Sequence, residues 1–363
     1  MVVQKCLPLE NRGTDCFVNS DVNALFSLPS FIAFLNEESV GSYLKAGRGG
    51  LYWELRRLAN YEVGGRPAST DMVRQLVSSM FSNRGFESGQ HDAGEFMIAL
   101  IDALKDEFEP RSPASIKLEK MFESIISSNV TCLNPTCPTA GSRELGATVD
   151  GRKKGPVICL GKHEHSVVKA LQTYLKGEIV QVRCPTCQHP LASRSTSKWE
   201  VVPQSLIIAL PRFSFDETTA QTKKNIKHVS VPKVLEIASQ KFSLTAAVEH
   251  SGSQATSGHY YTYSKSLNSG NFTLCNDSSL SEANPTLKQA YLVVYRQVRK
   301  KVIKPTVQKC SQVGGKSQVE EGCADCLAQR THKCSEDGEP SLGAARGLDG
   351  QGEEEGGISA THR

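Results

Sequence analysis

The sequence predicts an α+β protein in which helices come first and strands follow. Three observations carry this reading. From residue 16 to about residue 125, apolar side chains recur at helical spacing. From Leu206 onward the chain turns to short segments rich in β-branched and aromatic residues. Between them, residues 128 to about 200 carry two cysteine pairs, several Gly and Pro, and the basic stretch Arg152-Lys153-Lys154. A regular strand–helix repeat is excluded by this order, and no internal repeat of solenoid period is present.

The composition supports a sizeable core. Of 363 residues, 39% are hydrophobic and 22% charged. Forty-two Lys and Arg against 38 Asp and Glu leave a net charge of +4, too little for a surface that coats nucleic acid. No apolar run approaches the ~20 residues needed to span a bilayer, so neither nucleic acid nor membrane is expected as a partner. Met1–Glu10 lacks the apolar stretch of a secretory signal. The expected setting is intracellular, cytoplasmic or nuclear, Arg299-Lys-Lys301 being too short a basic cluster to decide between them. Oligomeric state is not legible. Twelve cysteines in such a chain point to thiol chemistry or metal binding rather than to a disulfide framework.

Taken in order, the first element is a helix starting at or just after Cys16, followed by Val22, Leu25, Phe26 and Leu28 on its apolar side. Thr14 or Asp15 is placed to cap it. Shorter helices are expected at Leu51–Leu58 and Asp71–Phe81. The clearest stripe lies within Gln90–Phe108, with Ala93, Phe96, Met97, Leu100, Ile101, Leu104 and Phe108 on one face. Strands are expected at Leu206–Phe215, Phe242–Glu249, His259–Ser264, Phe272–Cys275 and Tyr291–Tyr295. From Lys301 the periodicity ends, and Gly, Ser, Glu, Gln and Lys dominate. Residues 301–363 cannot bury enough apolar surface to offset ordering entropy, so a disordered tail is expected there.

Chemistry concentrates at three places. A thiol at a helix N-terminus feels the positive end of the macrodipole, which favours the nucleophilic thiolate; Cys16 has that placement, although most free cysteines are simply buried. His259 follows Gly258, and 17 residues on comes Asn276-Asp277 at the end of a strand. A hairpin would bring the histidine and Asn276 to neighbouring strands, the arrangement a thiol protease needs for a base and the group that orients it. Third, Cys184-Pro-Thr-Cys187 is a C-x2-C knuckle, and Cys132 and Cys137 form a looser C-x4-C pair with Pro135 inside its loop. Two such half sites suit tetrahedral Zn²⁺, with Cys159, His163, His165 and His189 as substitutes. Cys310, Cys323, Cys326 and Cys334 lie in the tail and are read as solvated thiols.

The ordered set of motifs resembles the ubiquitin-specific proteases. Asn11-x-Gly-x-x-Cys16-Phe-x-Asn19-Ser20-x-x-Asn23-Ala-Leu25 resembles the family's cysteine box. Gln90-His-Asp-Ala-Gly-Glu-Phe96 is similar to its Gln-Gln-Asp-Ala-x-Glu-Phe motif, and Leu210-Pro-Arg-Phe213 with Lys224 and Val231-Pro232 to its palm segment. Leu244–His250, Gly258-His259-Tyr260, Cys275-Asn276-Asp277-Ser278 and Ala290–Tyr295 look like its histidine box and closing strands. The match runs in order over about 11–296.

The resemblance implies a papain-like peptidase domain over 1–300. Its thumb would take about 1–125, its fingers about 126–204 and its palm about 205–300, with the tail at 301–363. It implies a deubiquitinating thiol hydrolase that cuts after the C-terminal glycine of ubiquitin, with ubiquitin and ubiquitinated proteins as partners. A weakly active or inactive ubiquitin-binding scaffold with the same fold is the alternative. Residue by residue it implies Cys16 as nucleophile, His259 as general base and acid, Asn276 as the residue orienting the ring, Asp277 as its polar neighbour and Asn11 as oxyanion donor. Gln90, Asp92, Glu95 and Gly258 would meet the ubiquitin tail, the two carboxylates facing its arginines; helix capping is the competing role for Asp92 and Glu95. Cys132, Cys137, Cys184 and Cys187 would hold a structural zinc, and catalysis needs no cofactor. Three positions depart from the family pattern: Asp15 for a usual threonine, Asn23 for a frequent glutamine, and Gly94 where a larger residue is common. Asp15 is expected to cap the helix rather than point at the thiol.

Overall fold

The computed structural model describes residues 6–138, 152–161, 164–176, 179–181, 184, 186–188, 192–210, 212–216, 218, 221–254, 257–266 and 269–298. The tail expected over 301–363 lies outside these residues, as do His163, His189, Cys310, Cys323, Cys326 and Cys334.

Six α-helices come first: α1 (Cys16–Phe26), α2 (Pro29–Asn36), α3 (Gly50–Ala59), α4 (Asp71–Met80), α5 (Ala93–Asp106) and α6 (Pro113–Phe122). Their starts follow local chemistry. Pro29 and Pro113 stand in the first turn, where a missing N–H costs nothing. Ser112 accepts the Ser115 N–H, and Asp92 accepts the Glu95 N–H, each closing an N-terminus. Within the expected window Gln90–Phe108, α5 therefore begins at Ala93, the first residue of the apolar stripe, and ends at Asp106. In α1 all eleven residues are buried. A helix buried on every side belongs at the centre of a domain, and α1 packs against α5 on one flank and the large sheet on the other.

The remaining elements are β1 (Ser124–Cys132), β2 (Arg152–Gly155), β3 (Val157–Cys159), α7 (Val167–Lys176), β4 (Ile179–Gln181), β5 (Ala192–Val201), β6 (Ser205–Ala209), β7 (Phe213–Asp216), β8 (Gln221–Lys224), β9 (Val234–Ile237), β10 (Gln240–Ser251), β11 (His259–Lys265), β12 (Phe272–Asn276), β13 (Ser279–Ala283) and β14 (Ala290–Gln297). One sheet runs β2-β1-β5-β4. A larger one runs β13-β12-β11-β10-β14-β6-β3, with β9 also on β10, and only the β3–β6 pair is parallel. The continuous buried runs of β6, β10 and β14 record burial on both faces. Ile207, Ala246, Val248, Leu292 and Val294 face the helical half. Ile208, Leu244, Ala247, Val293 and Tyr295 face α7 and its surroundings.

One strand expectation is corrected. The segment Leu206–Phe215 is divided between two strands, β6 and β7, the second pairing with β8. Pro211 has no N–H to donate to a ladder. Beside it the buried Arg212 turns its guanidinium onto the carbonyls of Ala290 and Lys288, so the chain leaves the sheet here. No single helix among the described residues is long and apolar enough to cross a membrane.

Candidate active site

Cys16 is the first residue of α1, buried with 2% exposure, and its thiol neighbours the His259 imidazole closely enough to be the main influence on that ring's proton affinity. Four N–H groups at a helix start lack intrahelical partners, so the sulfur sits at the electropositive end of an eleven-residue helix. His259 opens β11, and the antiparallel pairing of Thr262 with Cys275 brings it across from the end of β12. There the ring's Nε2 meets Asn276 Oδ1 at 2.6 Å. With Nε2 so engaged, Nδ1 is the nitrogen left for the thiol proton. The Cys16 contact, with help from Asn276 and Asp277 and against partial burial, lifts the His259 pKa to about 9. A ring with that affinity for a proton is well matched to hold one drawn from a thiol.

Asp277 organises the other side. It occupies the β12–β13 turn at a φ of +48°, a left-handed conformation that aspartate tolerates. Its carboxylate accepts Asn11 Nδ2 at 2.8 Å and Asn19 Nδ2 at 2.9 Å, and lies 3.6 Å from His259 Nε2. Asn11 Oδ1 in turn accepts the backbone N–H groups of Gly13 and Asp15, which fixes its amide so that the NH₂ faces inward. The five predicted residues Cys16, His259, Asn276, Asn11 and Asp277 thus lie together in one constellation.

Gln90 and Gly258 close over the thiol. Gln90 Nε2 donates to the Gly258 carbonyl at 2.8 Å, its Oε1 accepts the Gly258 N–H at 3.2 Å, and Nε2 lies 3.6 Å from Cys16 Sγ. Only glycine fits at 258. A Cβ there would lie 2.2 Å from His250 Nε2 and 2.5 Å from the Ser251 carbonyl oxygen. His250 is buried, and burial first, then the nearby Lys224 and His259 charges, hold its pKa down to about 4, so the ring beside the site is neutral. Lys224 Nζ fastens the same loop through the carbonyls of His250 and Gly252, both at 2.7 Å.

Asp92 is engaged twice: Oδ1 caps α5 through the Glu95 N–H at 3.0 Å, and Oδ2 accepts the Tyr291 hydroxyl. The capping role is therefore present. Glu95, one turn on, is exposed. The departures also find physical reasons. Asn23 pairs with both the N–H and the carbonyl of Leu7, at 2.8 and 3.1 Å, holding the N-terminal segment against α1. A Cβ on Gly94 would lie 3.0 Å from Asp92 Oδ1, so glycine gives the cap its room. Asp15 is a correction. It precedes the helix without capping it, because its carboxylate is taken by Arg74 at 2.5 Å and by the Arg12 N–H at 3.1 Å.

The four cysteines Cys132, Cys137, Cys184 and Cys187 converge, their sulfurs all within 4.8 Å of one another. Cys132 and Cys187 are 3.8 Å apart and Cys137 and Cys184 3.9 Å. Sulfurs at the corners of a tetrahedron with ~2.3 Å metal–sulfur bonds are ~3.8 Å apart, so the spacing fits zinc. All four are free thiols, and the Asn134 N–H and Nδ2 donate to Cys132 and Cys187, contacts that stabilise thiolates. Neither Cys159 nor His165 belongs to the cluster.

Sequence reasoning missed Arg74, Asn19, His250 and Lys224 as supports of the site. Lys224, Asn19 and His250 stood inside quoted motifs, whereas nothing local marks Arg74.

The helical half, the sheet and the thiol–imidazole–amide constellation together define a papain-like thiol hydrolase fold. A family model described as ubiquitin carboxyl-terminal hydrolase matches residues 8–295, and the chain belongs to that family. It is 24% identical over 259 residues to human ubiquitin carboxyl-terminal hydrolase 26, covering 64% of this chain and 28% of the relative. It is 26% identical over 324 residues to Arabidopsis thaliana ubiquitin carboxyl-terminal hydrolase 25, covering 80% of this chain and 47% of that one. The chain thus spans less than half the length of these two relatives. Among solved structures it is similar to the SAGA DUB module Ubp8/Sgf11/Sus1/Sgf73 bound to monoubiquitin, at a TM-score of 0.66 and 19% identity, covering 81% of this chain and 69% of that one. The same module bound to ubiquitin aldehyde gives 0.65 and 18%, with 82% and 70% covered.

Proposed function

We propose that this protein is a deubiquitinating thiol hydrolase that cleaves the peptide or isopeptide bond after the C-terminal glycine of ubiquitin. The observation that carries the reading is the chain of contacts from Cys16 through His259 to Asn276 at the start of a central helix. In it, His259 takes the Cys16 proton, the thiolate attacks the glycine carbonyl, and the imidazolium returns the proton to the leaving amine. Asn276 orients the ring. Asn11 offers the amide hydrogen not given to Asp277 to the developing oxyanion, a contact worth about 3 kcal/mol in comparable sites. The Gly258 N–H and carbonyl are the backbone groups for a two-glycine tail, which displaces Gln90 from them.

Of the two carboxylates at the start of α5, Glu95 is open to a basic side chain, while Asp92 serves the helix cap and Tyr291. The similar solved modules are bound to monoubiquitin and to ubiquitin aldehyde, which supports ubiquitin as the ligand. Cys132, Cys137, Cys184 and Cys187 would hold zinc as a closed structural site, four protein ligands leaving no position for substrate. The thumb, fingers and palm would fall at about 1–125, 126–204 and 205–300. The test is hydrolysis of a fluorogenic ubiquitin C-terminal amide. Wild type should turn over, and Cys16→Ala should not while still binding ubiquitin; equal rates for the two would refute the reading.

A further inference from the structure

Asp15 and Arg74 form an ion pair next to the nucleophile, both side chains 8% exposed. The Arg74 guanidinium reaches four acceptors: Asp15 Oδ1 at 2.5 Å, Thr14 Oγ1 at 3.0 Å, the Phe86 carbonyl at 2.7 Å and the Gly89 carbonyl at 2.6 Å. Its carbon also lies 5.1 Å from the centre of the Phe17 ring. Arg74 therefore touches residues on both sides of Cys16, and it holds the loop whose next residue, Gln90, reaches the thiol. No other described side chain joins these two segments through so many bonds. Lysine could not do so, because one ammonium lacks the planar fork.

We propose that Arg74 is a positioning residue for the nucleophile: it neutralises Asp15 and braces the cysteine segment against the 86–89 loop. The inference rests on Cys16 being the nucleophile. A carboxylate beside a thiol opposes thiolate formation, and an opposite charge on that carboxylate removes the opposition. Other titratable groups near Cys16 are His259 and Tyr260 on β11, Asp277 behind His259, Asp21 on α1 itself, and His91 and Asp92 at the start of α5. None of these groups is substituted in the variants, and His259, Tyr260, Asp277 and Asp21 lie outside the loop that Arg74 grips.

The experiment follows the pH dependence of Cys16 alkylation by iodoacetamide, read by mass spectrometry of the Cys16 peptide, which needs no ubiquitin. In Arg74→Met the thiol titration should move up by about one pH unit. In Asp15→Thr with Arg74→Met it should return to the wild-type curve. Arg74→Lys should keep the curve but raise KM for the ubiquitin amide, since the grip on Phe86 and Gly89 is lost. A folded Arg74→Met with an unmoved curve, or a double variant that follows the single one, overturns the proposal. If Arg74→Met does not fold, Asp15→Thr alone decides: its unpaired guanidinium should move the titration down, and an unmoved curve overturns the proposal. Absence of ubiquitin hydrolysis in wild type, with the alkylation pattern intact, would strike the functional reading and leave this one standing.

Discussion

Asn276 and Asp277 adjoin in sequence and do different work. Asn276 accepts from the imidazole at 2.6 Å, whereas Asp277 ties together Asn11 and Asn19 and lies 3.6 Å from the same nitrogen. Asn276→Ala should lower kcat on the order of 10²-fold, short of the loss in Cys16→Ala, because Asp277 remains as a second acceptor for the ring. Single-turnover kinetics on a ubiquitin amide check the order. The raised pKa of His259 sets the alkaline behaviour. A histidine lifted from its ordinary 6.5 to about 9 contributes stability that is complete below 6.5 and lost as pH rises through 9. The imidazolium disappears over the same window, so the basic limb of kcat/KM should fall near pH 9, and a limb near 7 would contradict the contact with Cys16. Cys16, His259 and Asn276 were legible because motif and spacing agree. The partner of Asp15 was not, since Arg74 lies 59 residues away on an ordinary helix and only tertiary packing reveals it.

At the scale of elements, the helices and strands followed from periodicity, while their ends followed from single side chains. The α5 start follows the Asp92 cap, a role already open in the sequence, and the break after β6 coincides with the buried Arg212. The cap is local, three residues from its donor, whereas the strand break depends on carbonyls 76 and 78 residues away, which periodicity does not contain. The loop before β11 makes the sharpest demand, because a side chain at 258 would run into His250 and the Ser251 carbonyl. Gly258→Ala should displace His259 and cost at least ~10²-fold in kcat/KM, with His259 and Cys16 themselves unchanged in sequence. A variant with wild-type kinetics would show that the loop has slack that this packing denies. The cysteine knuckles carry a separate expectation. Purified protein should contain close to one zinc per chain, and Cys184→Ser should lower both metal content and Tm, since binding free energy at a structural site is also folding free energy. Metal analysis of folded, active protein finding none would end the zinc assignment.

Across the whole molecule, α1 connects the two halves. It is buried among helices on one flank and against β10, β11 and β12 on the other, and its first residue meets a histidine carried by the sheet. Catalytic geometry is therefore set where the two halves join, which the order of helices and strands implied without giving the contact itself. The most direct measurement is reaction of the wild-type protein with ubiquitin bearing a C-terminal electrophile, followed by mapping of the adduct. The predicted result is one ubiquitin per chain, bound covalently through Cys16 and absent in Cys16→Ala. Stable binding of ubiquitin without any adduct, or an adduct on another cysteine, would contradict the account.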